Sequence, residues 1–330
     1  MSIIERALQK AQQSKSTAAK KVMPPDAPQV PAVDLQAETL RSSAMELEQR
    51  STGHTERRPV DAASLTSRDL KRIVEVDFDR LRAAGRLPPV HATRQTDEEM
   101  RRVKWPLLSA LAGRGGGAPA RNNVILVTSA EPSEGKSYTS LNLALSIVRD
   151  REMRVILVDG DVALPGLTPT MGLEGAPGLN DALDDTSMSV NDAIYRTTVD
   201  GLFFVPAGKW HEHSPELIAG SRMPWVIAEL AERVGNGVVI LDSPPLLATN
   251  EAQAATRYVG HVLMVVRADR TEQRAVTDAI ALIDKSTPVS AVLNGVEASL
   301  VSKYYGQYYY GYGAKQGAYS RYRSGKRDAP

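Results

Sequence analysis

The chain has 330 residues, 42% of them hydrophobic but only 5% aromatic, with a formal net charge of +1 and no cysteine. That length holds one large α/β domain with extensions or two small domains, around a core that must be aliphatic. The near-neutral balance excludes a chain that is basic throughout, and the lack of cysteine excludes disulfides and cysteine-based zinc sites and fits a reducing compartment. No apolar run approaches the ~18 residues of a membrane span, and the start lacks a secretion-signal pattern, so the expectation is a soluble cytoplasmic chain.

At the N-terminus, Ile3, Ile4, Ala7, Leu8 and Ala11 share one face at helical spacing, and Ser2 with Glu5 forms a capping box. This predicts an amphipathic helix over residues 1–15, which either docks on a partner or membrane surface or frays in isolation. Residues 16–67 are polar, carry Pro24, Pro25, Pro28 and Pro31, and show no sustained period, which predicts a flexible linker. An ordered domain is expected over residues 68–300. Ile73, Val74, Phe78 and Leu81 recur before the break at Gly85 to Pro89. A helix is then predicted from Thr96, with Thr96 and Glu99 as a second capping box and Pro106 near its end. Glu98, Arg101 and Lys104 fall three apart along one side of that helix, and spacing alone reads them as a solvated charged face.

From Asn123 the pattern alternates strand and helix. Val124 to Val127, Val155 to Val158, Leu202 to Val205, Val238 to Leu241, Val262 to Val266 and Val289 to Leu293 read as strands. Helices are predicted from Ser137 to Val148, from Ser214 (N-cap) and Pro215 (N1) through about Arg233, and from Thr271 to about Asp284. The expected fold class is α/β, with a mostly parallel sheet flanked by helices on both faces and strands buried on both sides; Gly135-Lys136-Ser137 between the first strand and its helix makes it a P-loop NTPase.

Between the first strand and its helix lies SAEPSEGKS, Ser129 to Ser137. A strand, a tight loop and a helix opening on Gly135-Lys136-Ser137 describe a phosphate-binding loop, with Ala130 where the pattern prefers glycine. Its backbone N–H groups, from Glu134, Gly135, Lys136, Ser137 and Tyr138, are expected to face phosphate, the Lys136 ammonium to reach the outer phosphates, and the Ser137 hydroxyl to ligate Mg2+. Asp159, Asp161 and Asp242 each follow the C-terminal end of a strand, where ligands of such sheets bind. A single aspartate there is an ordinary turn residue; three beside a Gly-Lys-Ser loop point to a Mg2+-nucleotide site.

The last stretch, residues 301–330, interleaves Tyr304, Tyr305, Tyr308, Tyr309, Tyr310, Tyr312, Tyr319 and Tyr322 with glycines and few aliphatic residues, which predicts a disordered tail. Its tyrosines fit phosphoacceptors, stacking platforms for single-stranded nucleic acid, or low-complexity filler.

With the P-loop, Asp159-Gly160-Asp161, the ILDSPP that ends on Pro245 and the terminal tyrosines together, the sequence resembles the bacterial tyrosine kinases, and more narrowly the exosortase-associated autokinases of exopolysaccharide loci. The resemblance runs from about Leu70 to the C-terminus and includes the SIIERAL start. It implies ATP and Mg2+ as cofactors, with Lys136 and Ser137 on phosphate and metal, Asp159 as the base that accepts the tyrosine proton, and Asp161 and Asp242 as metal ligands. Glu98, Arg101 and Lys104 resemble the family's oligomerisation motif, with lysine where arginine is usual. Pro206 to Gly208 and Ser214 to Leu217 also match family patterns, whereas Leu164 stands where the family often has arginine. Glu131 occupies the place of the signature lysine of MinD and ParA ATPases, which favours a kinase over the alternative of an ATP-driven dimerisation or surface-binding switch. Asn294 is expected to contact adenine, or to be a plain turn residue before Gly295. The implied activity is autophosphorylation of the tail in trans, within a homo-oligomer that could close into a ring. Implied partners are a separate membrane-anchored polysaccharide co-polymerase, which would recruit the chain to the inner face of the membrane, and a tyrosine phosphatase, with no nucleic acid.

Overall fold

All six apolar runs from Asn123 onward are strands in the computed structural model, which describes residues 70, 72–112, 123–150 and 152–296. The helix expected over 1–15, the linker over 16–67 and the tyrosine tail lie outside the described residues. In chain order the strands are β1 (Ile73–Val74), β2 (Val124–Ser129), β3 (Arg154–Asp159), β4 (Tyr195–Thr197), β5 (Leu202–Val205), β6 (Gly237–Asp242), β7 (His261–Arg267) and β8 (Val289–Asn294). They form one eight-stranded sheet in the order β1-β4-β5-β3-β6-β2-β7-β8. Every neighbouring pair is parallel except β4 with β5.

Alternation along the central strands divides the core in two, because successive side chains leave a strand on opposite faces. Val124, Leu126, Ile156, Val158, Val239 and Leu241 join one cluster, with Val226, Ile227 and Leu230 of the helix Arg222–Arg233. Ile125, Val127, Val155, Leu157, Val238 and Ile240 join the other, with Leu141, Leu143 and Ile147 of the helix Lys136–Val148. Each such fully buried side chain contributes ~1.5–3 kcal/mol. The sheet is thus buried on both sides, except at its edges, where Ile73 of β1 and Val289 and Leu293 of β8 are exposed.

The helices, numbered in chain order, are α1 (Phe78–Ala83), α2 (Thr93–Ala112), α3 (Lys136–Val148), α4 (Leu179–Asp184), α5 (Ser214–Ala219), α6 (Arg222–Arg233), α7 (Asn250–Ala255) and α8 (Gln273–Ala281). Several boundaries differ from expectation for identifiable reasons. A 3-10 turn, Val90–Ala92, begins after Pro89 and continues into α2, so that helix starts at Thr93 and Thr96 lies inside it rather than capping it. The Thr96 hydroxyl instead sits 3.4 Å from that of Tyr138 on α3. Pro106 is also interior: α2 runs past it, with Leu107 buried in the core shared with α3. The long helix expected from Ser214 is two, parted at Gly220, and Ser214 is the first helical residue rather than the cap. Its Oγ accepts from the N–H of His211 and from Nδ2 of Asn180, which fixes the preceding loop. Thr271 does not start α8, because its hydroxyl is turned toward the P-loop.

Among the described residues, no helix is long and apolar enough to cross a membrane.

Candidate nucleotide site

The loop between β2 and α3 is held from three directions. Ser129 Oγ donates to the carbonyl of Glu131 (2.6 Å), and the N–H of Glu131 donates to the Glu134 carboxylate (2.8 Å). The other Glu134 oxygen accepts from Thr271, and the Glu134 carbonyl accepts from Nδ2 of Asn294 (2.8 Å). Ser133 and Gly135 both have positive φ, 65° and 98°, a conformation that turns successive amides into a concave anion-binding nest. Only glycine suits position 135, since a Cβ there would run into Asn294 and the left-handed backbone disfavours a side chain. Helix α3 opens directly on Lys136, so its N-terminal dipole points into the same space.

β6 lies between β2 and β3, which brings Asp242 beside both the P-loop strand and Asp159. The loop after β6 is tied to β2: Thr128 Oγ1 donates to the Pro244 carbonyl (2.8 Å), and the N–H of Leu246 donates to the Ser129 carbonyl (2.8 Å). The Gly160 N–H bonds the Asp242 carbonyl at 2.7 Å, an approach a side chain at position 160 would block. Ser137, Tyr138, Lys136, Asp161, Arg86, Arg267 and Asn294 line the resulting cleft, of about 650 Å³, a volume ordinary for a small-molecule site.

The three aspartates are not equivalent. Asp161 lines the cleft; burial pushes its pKa up to about 6, opposed by the N–H of Leu164, which donates to Oδ1 (3.1 Å). Asp242 is enclosed, and burial followed by the charge of Asp159 raises it to about 7. Its Oδ1 accepts from Ser140 (3.0 Å), while Oδ2 is buried without a hydrogen-bond partner. Asp159 is fully buried; its Oδ2 accepts from the N–H of Leu167 and from both the N–H and hydroxyl of Thr168, so this oxygen braces the turn after β3, while its Oδ1 has no hydrogen-bond partner. Burial lowers the pKa of Lys136, with Asp242 and Asp161 opposing the shift.

These features fit a nucleotide-bound Mg2+. Two buried carboxylate oxygens, Asp242 Oδ2 and Asp159 Oδ1, lack partners. Among the described residues no three acidic or histidine side chains cluster closely enough to hold a metal by themselves; a nucleotide-bound Mg2+ takes the rest of its shell from hydroxyl, water and phosphate oxygens.

The other expected residues are scattered. Tyr138 adjoins the cleft, but its hydroxyl meets Thr96 and its pKa is raised by burial. On α2, Glu98 pairs with Arg94 (3.6 Å) and Arg101 is exposed. Lys104 corrects the reading of this row as a solvated face: it is buried, and its Nζ donates to the Ser146 carbonyl (3.1 Å) and to Asp150 (2.8 Å) at the end of α3. The eight tail tyrosines lie outside the described residues. Sequence reasoning missed Arg86, Arg267 and Thr271. Arg267 is the last residue of β7 and could have been found by the same strand-end rule as the aspartates; Arg86 carried no such signal.

No protein-family model matches the chain. Curated relatives do. The tyrosine-protein kinase ptk of Acinetobacter johnsonii is 28% identical over 190 residues, 56% of this chain and 25% of the relative. The tyrosine-protein kinase wzc of Salmonella typhimurium is 28% identical over 167 residues, 51% of this chain and 23% of the relative. Among solved structures, the kinase domain of VpsO superposes with a TM-score of 0.52 at 25% identity, covering 63% of this chain and all of that domain. The BceF tyrosine kinase domain gives 0.52 at 26% identity, covering 67% and 92%. The chain is a homologue of the bacterial tyrosine kinases. It spans about a quarter of the length of the two curated relatives named, and the matched part of the chain has the size of a kinase domain.

Proposed function

We propose that residues 68–300 form a protein-tyrosine kinase domain that binds MgATP and transfers the γ-phosphoryl group to tyrosines of the chain's own C-terminal cluster. The observation that carries this reading is the convergence of Lys136, Ser137, Asp161 and buried Asp242 at one sheet edge, in a domain homologous to kinase domains. Lys136 and the P-loop amides bind the β- and γ-phosphates. Ser137 and Asp242 would hold Mg2+, directly or through water, with Asp161 beside them; when bound, the ion supplies charge neutralisation to the phosphates. Asn294 gives its Nδ2 to the Glu134 carbonyl, which leaves Oδ1 as an acceptor for the amino group of adenine and favours ATP over GTP.

A free phenol has a pKa near ~10, so the attacking tyrosine needs a proton acceptor. Asp161 takes this role in preference to Asp159, because Asp161 borders the cleft and Asp159 is enclosed with one oxygen already triply bonded. As the tyrosine oxygen bonds to the γ-phosphorus, the bond to ADP breaks and the phenolic proton passes to the carboxylate. Burial pushes the Asp161 pKa up to about 6 in the unliganded protein and a neighbouring Mg2+ would lower it, so transfer should fall as acid protonates this carboxylate, at a pH below that value.

The acceptors are Tyr304, Tyr305, Tyr308, Tyr309, Tyr310, Tyr312, Tyr319 and Tyr322. Tyr304 follows Asn294 by ten residues, a reach of at most ~35 Å, so chain length alone permits either the chain's own site or a neighbour's. Transfer in trans within a homo-oligomer is the form we propose, with Glu98 and Arg101 as contacts between subunits and Lys104 fastening their helix to α3. A membrane-anchored polysaccharide co-polymerase would recruit and activate the chain at the inner membrane face, and a tyrosine phosphatase would reset it, in control of exopolysaccharide chain length or export.

Intact-mass measurement after incubation with MgATP tests the activity. Stepwise additions of phosphate that vanish in Lys136→Met and in a variant with every tail tyrosine changed to Phe are expected. Nucleotide binding with no phosphate added, even beside a membrane activator, would replace the kinase by an ATP-driven switch. A dilution series tests the trans step: a first-order rate independent of protein concentration would rule it out.

A further inference from the structure

The cleft contains a cation that no motif accounts for. Arg86 follows α1 through a turn in which Gly85 has φ 67°, and its backbone is pinned at both ends: its N–H donates to the Leu81 carbonyl (2.8 Å) and its carbonyl accepts from Nδ2 of Asn142 on α3 (2.9 Å). Leu87, the next residue, is buried in the core beneath α3. The side chain is therefore delivered to the cleft by ordered backbone. Its Nε donates to the carbonyl of Gly166 (2.9 Å), which orients the plane of the guanidinium.

The outer end of the fork lies beside the P-loop. A Cβ placed on Gly166 would meet the Ser137 hydroxyl and stand 3.6 Å from Arg86 Nη2, so both groups border the same small space. The charge of Arg86 is also felt at Lys136. Carboxylates pair with Arg80, Arg82, Arg94, Arg149, Arg233 and Arg274, yet among the described residues none lies within ion-pair distance of Arg86. The strand-end loop that carries Asp161 continues as Val162-Ala163-Leu164-Pro165 and offers no cation of its own. An oriented, half-buried guanidinium facing a phosphate-binding loop, without an acid to neutralise it, is suited to two-pronged recognition of phosphate oxygens.

We propose that Arg86 is a phosphate-binding residue of the nucleotide site, its free nitrogens meeting the terminal phosphate beside Ser137 while Lys136 approaches from the P-loop. The inference rests on the nucleotide reading above. It makes the segment N-terminal to the P-loop part of the site, and gives the protein a means of telling triphosphate from diphosphate.

Binding to the full chain, measured by titration calorimetry with MgADP and with the non-hydrolysable β,γ-imido analogue of MgATP, tests it. Arg86→Gln, which keeps a donor for the Gly166 carbonyl, should weaken the triphosphate analogue by about tenfold or more and MgADP by less than about threefold, the usual scale of a charge-assisted hydrogen bond. Arg86→Lys, which keeps the charge but loses the fork, should fall between Arg86→Gln and the unsubstituted protein, and its unchanged unfolding temperature would show that the fold is intact. Equal weakening of both nucleotides, or of neither, would overturn the proposal. If the unsubstituted protein binds no MgADP, the nucleotide reading itself fails, and this one with it.

Discussion

On one side of the cleft, the P-loop and Asp242 extend from adjacent central strands, β2 and β6, which are hydrogen-bonded along their length and buried on both faces. On the other side, residues 78–112 reach the site through Arg86, which bonds Gly166, and are fastened to the rest of the domain by side chains farther off, Thr96 against Tyr138 and Lys104 on Ser146 and Asp150. The first wall is positioned by a backbone ladder that no single side chain controls. Polar contacts between a flank and helix α3 position the second. Substitutions in the first wall should therefore remove chemistry while leaving the fold, whereas those in the second should alter how firmly the flank is held.

The largest effect is expected at Lys136. Lys136→Met should reduce phosphate incorporation by about 100-fold or more, as loss of a group stabilising transferring charge commonly does, with near-native circular dichroism; a variant that unfolds would erase the distinction between the walls. Asp242→Asn comes next and should act in opposite directions on binding and stability. Because the folded-state pKa is raised from 3.8 to about 7, the folded protein holds this proton more tightly than the unfolded chain; the corresponding stability is fullest below pH 4 and is lost as pH rises through about 7. Asparagine mimics the protonated acid, so the unliganded variant should gain on the order of 4 kcal/mol over the unsubstituted protein at pH 8 and little at pH 4, read by urea unfolding, while Mg2+-dependent nucleotide binding is lost. A gap that does not widen with pH would refute the burial argument.

In the second wall, Lys104→Met keeps most of the volume but breaks the link from α2 to the end of α3. Allowing for the half-exposed Asp150 partner, a loss of about 1–2 kcal/mol is expected, measured by chemical unfolding. Thr271→Val removes the hydroxyl shared by the Arg267 N–H and Glu134, and should cost about 1 kcal/mol with a few-fold weaker nucleotide binding, sharpening the case that Glu134 braces the loop rather than touching phosphate. Glu98→Gln should change monomer stability by less than about 0.5 kcal/mol, since its partner Arg94 is almost wholly exposed; a shift in oligomer size by light scattering would then report a contact between subunits.

Much of this site was legible because its parts obey local rules. The P-loop is contiguous, and Asp161 and Asp242 sit just beyond or at the ends of apolar runs long enough to recognise as strands. β1 and β4 went unread because two and three residues are too few to display a period. The six-residue helices α4 and α7 were missed for the same reason. Thr96 shows a different failure: its capping pattern was present, but Pro89 had already started a turn that ran into the helix, and the hydroxyl went to Tyr138. Lys104 looked like part of a charged row because spacing shows which residues share a helix side and nothing about what that side meets.

By itself, the sequence determined the α/β alternation, the phosphate loop and the strand-end aspartates, since each depends on residue type at short range and on the two-residue period of a strand. Tertiary structure alone decided that Asp159 braces a turn while Asp161 borders the cleft, that Glu134 is held by Thr271 and Asn294, and that Arg86 reaches a carbonyl 80 residues away. Burial and hydrogen-bond satisfaction set those roles, and both depend on which distant segments the sheet order brings together.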